Sequence, residues 1–249
     1  MQPSTQQAST RDEQGNYMLP GTNEYGQPIG AALPDWVAPV LPNAQVLTGS
    51  YCTLERLDAD RHASELFTAY AKAPDGRDWT YMPVGPFTDL TSYKRWAIDA
   101  ARSMDPRHYA VIDHRTSRAV GTIALLRQNL AHGSIEVGFV AFSPELQRTV
   151  AATEAQYLLM HDIFELGYRR YEWKCDSLNV PSRKAALRLG FRYEGTFRQA
   201  AVYKGRNRDT AWYALVDQDW PKVRQAMQQW LNPNNFDSAG QQRTALRIA

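Results

Sequence analysis

Residues 133 to 167 read GSIEVGFVAFSPELQRTVAATEAQYLLMHDIFELG, and this stretch passes from a strand pattern to a helix pattern. Its first half alternates in polarity, as a β-strand with two unlike faces does. One face would carry Ile135, Val137, Phe139 and Ala141. The other would carry Glu136, Gly138, Val140 and Phe142. The second half has apolar residues at helical spacing, and Gly167 is the expected helix end.

The corner between the two patterns, at residues 147 to 153, has the properties of an anion site. The first turn of a helix presents backbone N–H groups without intrahelical partners, together with a partial positive charge. Thr149 is a candidate cap for this helix, and Arg148 adds a cation beside it. The same residues also fit an ordinary strand-to-helix connection. The residues alone leave both interpretations open.

The rest of the chain alternates strand and helix patterns, which indicates an α/β fold. Further strands are expected within residues 45–58, 108–129, 168–176 and 191–216, where the second and the fourth segment each contain two strands around a turn. Further helices are expected at residues 59–72, 89–103, 180–190 and 220–231. Gln, Ser, Thr, Gly and Pro are frequent near the N-terminus. We therefore predict an extended arm at 1–45, a domain at 46–231 and a tail at 232–249.

The composition argues against several classes of protein. Lys and Arg number 28 and Asp and Glu 26, a balance that does not favour a nucleic-acid or membrane-surface protein. Two distant cysteines, Cys52 and Cys175, form neither a disulfide framework nor a zinc site, and no metal site is expected. The chain shows no membrane-spanning apolar run and no signal-peptide pattern, so a cytoplasmic location is expected.

Two motifs carry a family resemblance. NVPSRKAALRLGFRYEG, residues 179 to 195, resembles the Asn-x-x-Ser…Gly-Phe…Glu-Gly pattern of the GNAT N-acetyltransferases, in their RimJ/RimL-like branch. GRNRDTAWYALVDQDW, residues 205 to 220, resembles the closing strand pair of that branch. The resemblance covers about residues 46 to 222. It implies a GNAT-like mixed, mostly antiparallel seven-stranded sheet with helices on both faces, and acetyl-CoA as cosubstrate.

The resemblance also implies where acetyl-CoA binds. The pyrophosphate would lie on the corner turn, formed by Gln147, Arg148, Thr149, Val150, Ala151, Ala152 and Thr153. The pantetheine arm would pair with the backbone of Val140, Ala141 and Phe142, where a strand bulge could aim one N–H at the thioester. Asn179, Ser182 and Arg183 complete the expected cofactor contacts. Val150 departs from the family pattern, because glycine is usual there; valine keeps its N–H donor but loses backbone freedom.

The expected catalytic residues are Glu136 and Ser182. A carboxylate in an apolar strand faces either a site or water, and in a site it would accept the proton of the acceptor ammonium. An ion-paired or solvated Glu136 is the alternative. Family members often carry a tyrosine acid at the position of Ala186, so Ser182 is the substitute proton donor. Trp79, Tyr81 and Glu136 are the expected acceptor-binding residues.

The function expected from these features is direct acetyl transfer from acetyl-CoA to a primary amine. The acceptor would be a protein N-terminus or a small amine, with no nucleic-acid or membrane partner, and a homodimer is left open. The alternative is a module of the same fold that binds acyl-CoA without catalysis. Val150 and Ala186 support that alternative, whereas Glu136 opposes it.

Overall fold

A computed structural model describes residues 21–238 and 240–248. The chain divides into two compact units, residues 1–38 and 39–249. In the first unit, β1 (Gly21–Thr22) pairs antiparallel with β2 (Pro28–Ile29) across a turn. The Asn23 side chain accepts hydrogen bonds from the backbone N–H groups of Tyr25 and Gln27 and so stabilises this turn. The arm, domain and tail bounds stay a prediction, and residues 1–20 of the arm lie outside the described residues.

The second unit is built on an eight-stranded sheet in the order β3-β4-β5-β6-β7-β8-β10-β9. Its strands are β3 (Val46–Thr48), β4 (Cys52–Arg56), β5 (Arg107–Asp113), β6 (Arg118–Asn129), β7 (Ser134–Phe142), β8 (Arg170–Asp176), β9 (Arg192–Tyr203) and β10 (Arg206–Val216). Neighbouring strands pair antiparallel except β7 and β8, which pair parallel. The α/β fold with a mixed, mostly antiparallel sheet is confirmed, with eight strands where seven were expected.

Helices cover both faces of this sheet, as expected. They are α1 (Ala59–Tyr70), α2 (Leu90–Arg102), α3 (Val150–Glu165), α4 (Val180–Arg188) and α5 (Trp220–Leu231). Tyr109 and Val111 belong to a large core that includes residues of α3 and α5. Ala110, between them in β5, belongs to a smaller core with α1 and α2. Because adjacent strand residues point to opposite faces, the two cores lie on opposite sides of the sheet.

The extra strand comes from the segment at residues 45–58, which was expected to be one strand. It is a hairpin, because the chain turns at Gly49–Tyr51 between β3 and β4. Glu154 of α3 holds this turn: its carboxylate accepts the backbone N–H groups of Ser50, Tyr51 and Cys52 at 2.6–2.8 Å. A Cβ at Gly49 would come within 2.4 Å of that carboxylate, so glycine is required by close approach.

The alternation expected for β7 holds only in its first half. Ile135 and Val137 lie in the large core. Phe139 then has φ 48°, and the register against β6 shifts between the Thr122 and Ala124 pairs. Such a bulge inverts the facing of every later residue. Val140 and Phe142 therefore pack against the large core, which corrects the expected placement of Phe139 and Ala141 on that face.

Strands β7 and β8 diverge after a short contact. Four residue pairs join them, from Ser134–Arg170 to Val137–Trp173, and no later pair is formed between these described strands. β7 continues for five residues beyond Val137, to Phe142. Its backbone there pairs with β6 on one side. The side towards β8 is left open as a gap.

Candidate active site

The corner before α3 forms as a capped helix start. The Thr149 hydroxyl accepts the N–H of Ala152 at 3.2 Å, so the expected cap is confirmed. Val150 is the first helical residue, and by their position the N–H groups of Val150 and Ala151 have no intrahelical acceptor. Arg148 has φ 62°, a left-handed conformation that costs a non-glycine residue about 1 kcal/mol. The strain lies two residues before the position where the family uses glycine.

The other turn residues differ in accessibility. Gln147 and Arg148 are exposed, and Arg148 makes no ion pair in the part of the chain that the structure describes. Ala151 and Thr153 are buried. The Thr153 hydroxyl accepts a hydrogen bond from Arg188 of α4 at 3.1 Å. An anion at this turn would therefore meet Arg148 and the backbone, and not the Thr153 side chain.

The loop between α1 and α2 lies against this turn and two neighbouring segments. Gln147 donates from Nε2 to the Asp78 carboxylate at 3.1 Å and to the Phe142 carbonyl at 2.8 Å. The Tyr81 hydroxyl donates to the carbonyl of Leu178, just before α4, at 3.2 Å. Lys204, in the β9–β10 turn, donates to the Trp79 carbonyl at 2.7 Å. The loop thus connects the helix starts of α3 and α4 with the β9–β10 turn.

The open segment of β7 is contacted from α1 as well. The Tyr70 hydroxyl donates to the Ala141 carbonyl at 3.0 Å and lies 3.2 Å from the Thr122 hydroxyl. Val140, Ala141 and Phe142 are each half-buried. The predicted bulge is present in this strand. These three residues therefore line the gap at the place where the resemblance puts the pantetheine arm.

Glu136 lies on the opposite sheet face from the large core and is 3% exposed. Its Oε2 atom is 2.6 Å from Arg127 Nη1 and 2.9 Å from Lys174 Nζ. The Oε1 atom faces Gly138, since a Cβ built there would lie 3.6 Å from it. Glu136 is thus ion-paired through one oxygen, and its other oxygen lies beside the first residue of the open segment.

Lys174 links this carboxylate to a second one on β8. Its Nζ atom is 2.7 Å from Glu172 Oε2 and lies 3.8 Å from the centre of the Trp212 ring. Arg170 pairs with the other oxygen of Glu172 at 2.7 Å. Burial alone would raise the pKa of Glu172, but hydrogen bonds from Arg170 and Lys174 lower it overall. Direct pairing with these two cations therefore favours the ionised form of Glu172.

The start of α4 combines capping with contacts to β8. Asn179 accepts the N–H of Ser182 at 3.1 Å through its side-chain oxygen, which leaves its amide donors available. Trp173 donates from its indole to the Ser182 hydroxyl at 2.9 Å, so the hydroxyl proton points elsewhere. Arg183 reaches the Tyr213 hydroxyl at 3.2 Å. Ala186 is fully buried in the large core, so the position of the family's tyrosine holds a small side chain without a hydroxyl.

Neither cysteine has the environment of a nucleophile. Cys52 is fully buried, and Cys175 is 5% exposed. Burial, followed by the nearby Glu154, raises the pKa of the Cys52 thiol. Burial likewise raises the pKa of the Cys175 thiol. Both thiols stay protonated at neutral pH, which disfavours a covalent acetyl-cysteine route.

Trp79 and Tyr81, the expected acceptor-binding residues, differ in their surroundings. Trp79 is 8% exposed, and its ring makes edge-to-face contacts with Tyr70 of α1 and Phe87 of the same loop, whereas Tyr81 is half-buried and holds the loop to Leu178. Sequence reasoning missed three residues of this region: Tyr70, Asp78 and Lys174. The alternation Arg170, Glu172, Lys174 in β8 was a usable signal for a charged sheet face. Nothing in the sequence marked Tyr70 or Asp78.

Comparisons with known proteins identify the family of this chain. A family model described as an acetyltransferase (GNAT) domain matches residues 52–192. The chain belongs to the GNAT acetyltransferase family. This GNAT chain is 45% identical to a GCN5-related N-acetyltransferase from Brucella melitensis, with a TM-score of 0.84 over 86% of this chain and 97% of that one.

Two further relatives support the assignment. A probable GNAT-family acetyltransferase from Chromobacterium violaceum ATCC 12472 is 40% identical, with a TM-score of 0.73 over 78% of this chain and 98% of that one. An uncharacterized N-acetyltransferase of Bacillus licheniformis is 24% identical over 56% of this chain and 80% of the relative. The chain is therefore an acetyl-CoA-dependent acetyltransferase that acts on an amine.

The residues present fit acetyl-CoA on two observations. The β7 backbone from Gly138 to Phe142 faces an open gap, where an extended arm can pair with it. The start of α3 offers N–H donors and the cation of Arg148 at one end of that gap. Within the described ranges 21–238 and 240–248, none of the helices has the length and apolar character that a membrane crossing requires.

Proposed function

We propose that this GNAT chain transfers acetyl directly from acetyl-CoA to the primary amine of a protein N-terminus or a small molecule, in the manner of the RimJ/RimL-like branch. The observation that carries this proposal is the position of Glu136. Its Oε1 atom lies beside Gly138, where β7 leaves β8 and the gap begins. A carboxylate at that place can receive the proton of an ammonium approaching the gap.

The cofactor contacts follow from the gap. The N–H groups of Val150 and Ala151 and the charge of Arg148, within residues 147–153, would hold the pyrophosphate. The β7 backbone at Val140–Phe142 would hold the pantetheine arm. At the start of α4, Asn179 donates its amide to the arm. Arg183, which is exposed, adds a further cation near the cofactor.

In the proposed reaction, Glu136 is the general base and Ser182 is the hydrogen-bond donor to the leaving group. When bound, acetyl-CoA supplies an activated thioester whose thiolate is a fair leaving group. Glu136 accepts the acceptor's proton through Oε1, while Arg127 and Lys174 fix Oε2 and orient the carboxylate. The Ser182 hydroxyl, oriented by the Trp173 indole, donates a hydrogen bond towards the leaving sulfur. Trp79 and Tyr81 belong to the loop that forms the acceptor side.

The test is acetyl-CoA turnover against a panel of peptides and small primary amines. We expect release of free CoA with at least one amine, and a product that is N-acetylated. The absence of turnover across the panel, together with measurable CoA binding, would instead support the non-catalytic acyl-CoA-binding module. The ion pairs at Glu136 Oε2 are the observation that favours this second function, because they give this carboxylate a structural role that needs no catalysis.

Arg148→Ala tests the cofactor site separately. If the guanidinium meets a phosphate, its removal should weaken CoA binding by about 1–3 kcal/mol, measured by calorimetry. Arg206→Ala, at the exposed first residue of β10, is the matched control and should bind CoA like the wild type. Equal affinities of both variants and the wild type would contradict the assignment of the phosphate turn.

A further inference from the structure

A cavity of about 220 Å³ lies between α1, α2 and the loop that joins them. Its walls include five aromatic side chains: Phe67, Tyr70, Trp79, Phe87 and Tyr93. Four of these rings form a closed series of edge-to-face contacts, with neighbouring centroids 5.2–5.7 Å apart. Such contacts resist rearrangement, since each adds about 0.5–1.5 kcal/mol beyond the burial of area. The cavity walls are therefore fixed by the fold.

The cavity borders the open segment of β7. Tyr70, one of its wall residues, donates its hydroxyl to the Ala141 carbonyl at 3.0 Å. Ala141 lies in the part of β7 that faces the gap. One tyrosine side chain thus separates the cavity from the strand segment that lines the reaction site. A substituent on an amine at the gap therefore has to pass the Tyr70 hydroxyl to reach the cavity.

The chemistry of the walls restricts the occupant. No lysine, arginine or histidine lines the cavity, and its charged lining residue, Asp75, is exposed at the rim and paired with Arg77 at 2.6 Å. The buried Tyr93 hydroxyl makes no hydrogen bond of ordinary geometry among the described residues, and burial, followed by the nearby Tyr70 hydroxyl, raises its pKa. The aromatic walls therefore suit an apolar group, and the Asp75 carboxylate at the rim opposes an anion.

The size of the cavity agrees with an aromatic ring. An apolar cavity of roughly 150 Å³ is known to hold benzene in another protein. A cavity of about 220 Å³ can accept a phenyl ring with one or two attached carbons. We propose that this cavity is a specificity pocket that binds an aromatic or large aliphatic group carried by the acceptor amine. The inference rests on the proposed amine acetylation and adds the class of acceptor.

A matched pair of probes tests the pocket: 2-phenylethylamine and ethylamine, which differ by the ring. Burial of a phenyl ring should give the wild type a roughly 10- to 100-fold higher kcat/KM for 2-phenylethylamine. Ala73→Leu, which places extra carbons on the cavity lining, should reduce that ratio at least about tenfold. Thr68→Leu, at an exposed position of α1 outside the lining, should keep the ratio. Two peptides that differ only in a first residue of Phe or Gly test whether the acceptor is a protein N-terminus. Preference for the Phe peptide would indicate an N-terminus, and preference shown only between the two free amines would indicate a small molecule.

The outcomes separate the pocket from the proposed reaction. Acetylation of both amines with a ratio near one, unchanged in Ala73→Leu, would overturn the pocket and leave the reaction standing. If no amine is acetylated, calorimetry with 2-phenylethylamine decides the pocket alone. Binding that is lost in Ala73→Leu and kept in Thr68→Leu would support it. No binding to the wild type, or equal binding by both variants, would overturn it.

Discussion

At the scale of single residues, Glu136 is both the proposed general base and a member of a buried ion-pair cluster. Its Oε2 atom is neutralised by Arg127 and Lys174, while its Oε1 atom lies beside Gly138. The burial of the charge is offset by the two ion pairs. The proposed base therefore owes its position to its contacts with Arg127 and Lys174.

Glu136→Gln should keep the shape of the side chain and remove its ability to accept a proton. Loss of a general base typically lowers the rate about 10²- to 10⁴-fold, and CoA affinity should change little. Steady-state kinetics across pH, with any amine active in the panel, measures this. Glu172→Gln is the control, because it also removes an ion pair with Lys174. A similar loss in both variants would show that the pair network, and not a base, is needed.

His108 predicts a dependence of stability on pH. It is 3% exposed, and burial, followed by the nearby Arg56, lowers its pKa to about 4. Between pH 6.5 and about 4 the unfolded chain binds a proton here that the folded chain does not, so acid favours unfolding. The free energy of unfolding should fall by up to about 3 kcal/mol over this window.

Urea unfolding of wild type and His108→Gln at several pH values tests this prediction. The variant should lose less stability than the wild type between pH 6.5 and pH 4. His132→Gln, at an exposed position, is the control and should follow the wild type. Parallel curves for wild type and His108→Gln would contradict the assignment.

Local chemistry predicted some of these residue properties, and long-range contacts determined the others. The Thr149 cap follows from a hydroxyl placed before a helix pattern, and the structure confirms it. The buried state of His108 does not follow from its position near a strand end, because Trp96 and Phe139 cover it from other elements. Lys174 pairs with Glu136 only because β7 and β8 are neighbours in this sheet.

At the scale of elements, the loop between α1 and α2 brings a negative charge to the expected phosphate turn. Asp78 accepts a hydrogen bond from Gln147 at 3.1 Å, and both residues are exposed. A phosphate at residues 147–153 would be repelled by this carboxylate. The contact between loop and turn should therefore oppose cofactor binding.

Asp78→Asn should strengthen CoA binding by about 2- to 10-fold at low ionic strength, since one exposed repulsion of about 1 kcal/mol is removed. The gain should shrink in high salt. Titration calorimetry at two salt concentrations measures both effects. Asp75→Asn, in the same loop but bonded to Arg77, is the control. Weaker binding by Asp78→Asn would mean that the Gln147 contact helps to shape the site.

The elements themselves followed well from the sequence where their patterns were strong. The helix at 220–231 begins and ends as expected. The prediction of a single strand at 45–58 was wrong. Apolar residues lie on both sides of Gly49 and Ser50, so the pattern did not indicate the turn between β3 and β4. A bulge was expected near Val140–Phe142 from the resemblance only, because an alternating pattern carries no sign of an extra residue, and the structure has it at Phe139.

At the scale of the whole molecule, Glu154 connects α3 to the far edge of the sheet. It is 4% exposed and accepts three backbone N–H groups from the β3–β4 turn. Glu154→Gln should lower the free energy of unfolding by about 2–4 kcal/mol, because the amide loses the charge and turns an N–H₂ group towards backbone donors.

Denaturant unfolding of Glu154→Gln checks this value. Glu165→Gln, on the same helix but exposed, is the control and should lower stability by less than 1 kcal/mol. Comparable losses in the two variants would show that the turn tolerates a neutral acceptor.

The overall architecture was predictable because a motif near α4 carried a family resemblance, from which the mixed sheet followed. The acceptor pocket was not predictable in the same way. Its walls come from α1, α2 and the connecting loop, and their rings meet only in the folded chain. Periodicity placed each ring on its element, but it contains no information about the space left between them.

The divergence of β7 and β8 also gives the molecule a mechanical seam. Four parallel residue pairs are the hydrogen-bonded connection between the sheet halves β3–β7 and β8–β10, whereas β8 and β10 share seven. Parallel pairing is slightly weaker per residue than antiparallel pairing. A force that pulls the two edges of the sheet apart should therefore separate β7 from β8 before any other pair of strands. A molecule bound in the gap would contact both halves of the sheet at the place where this separation begins.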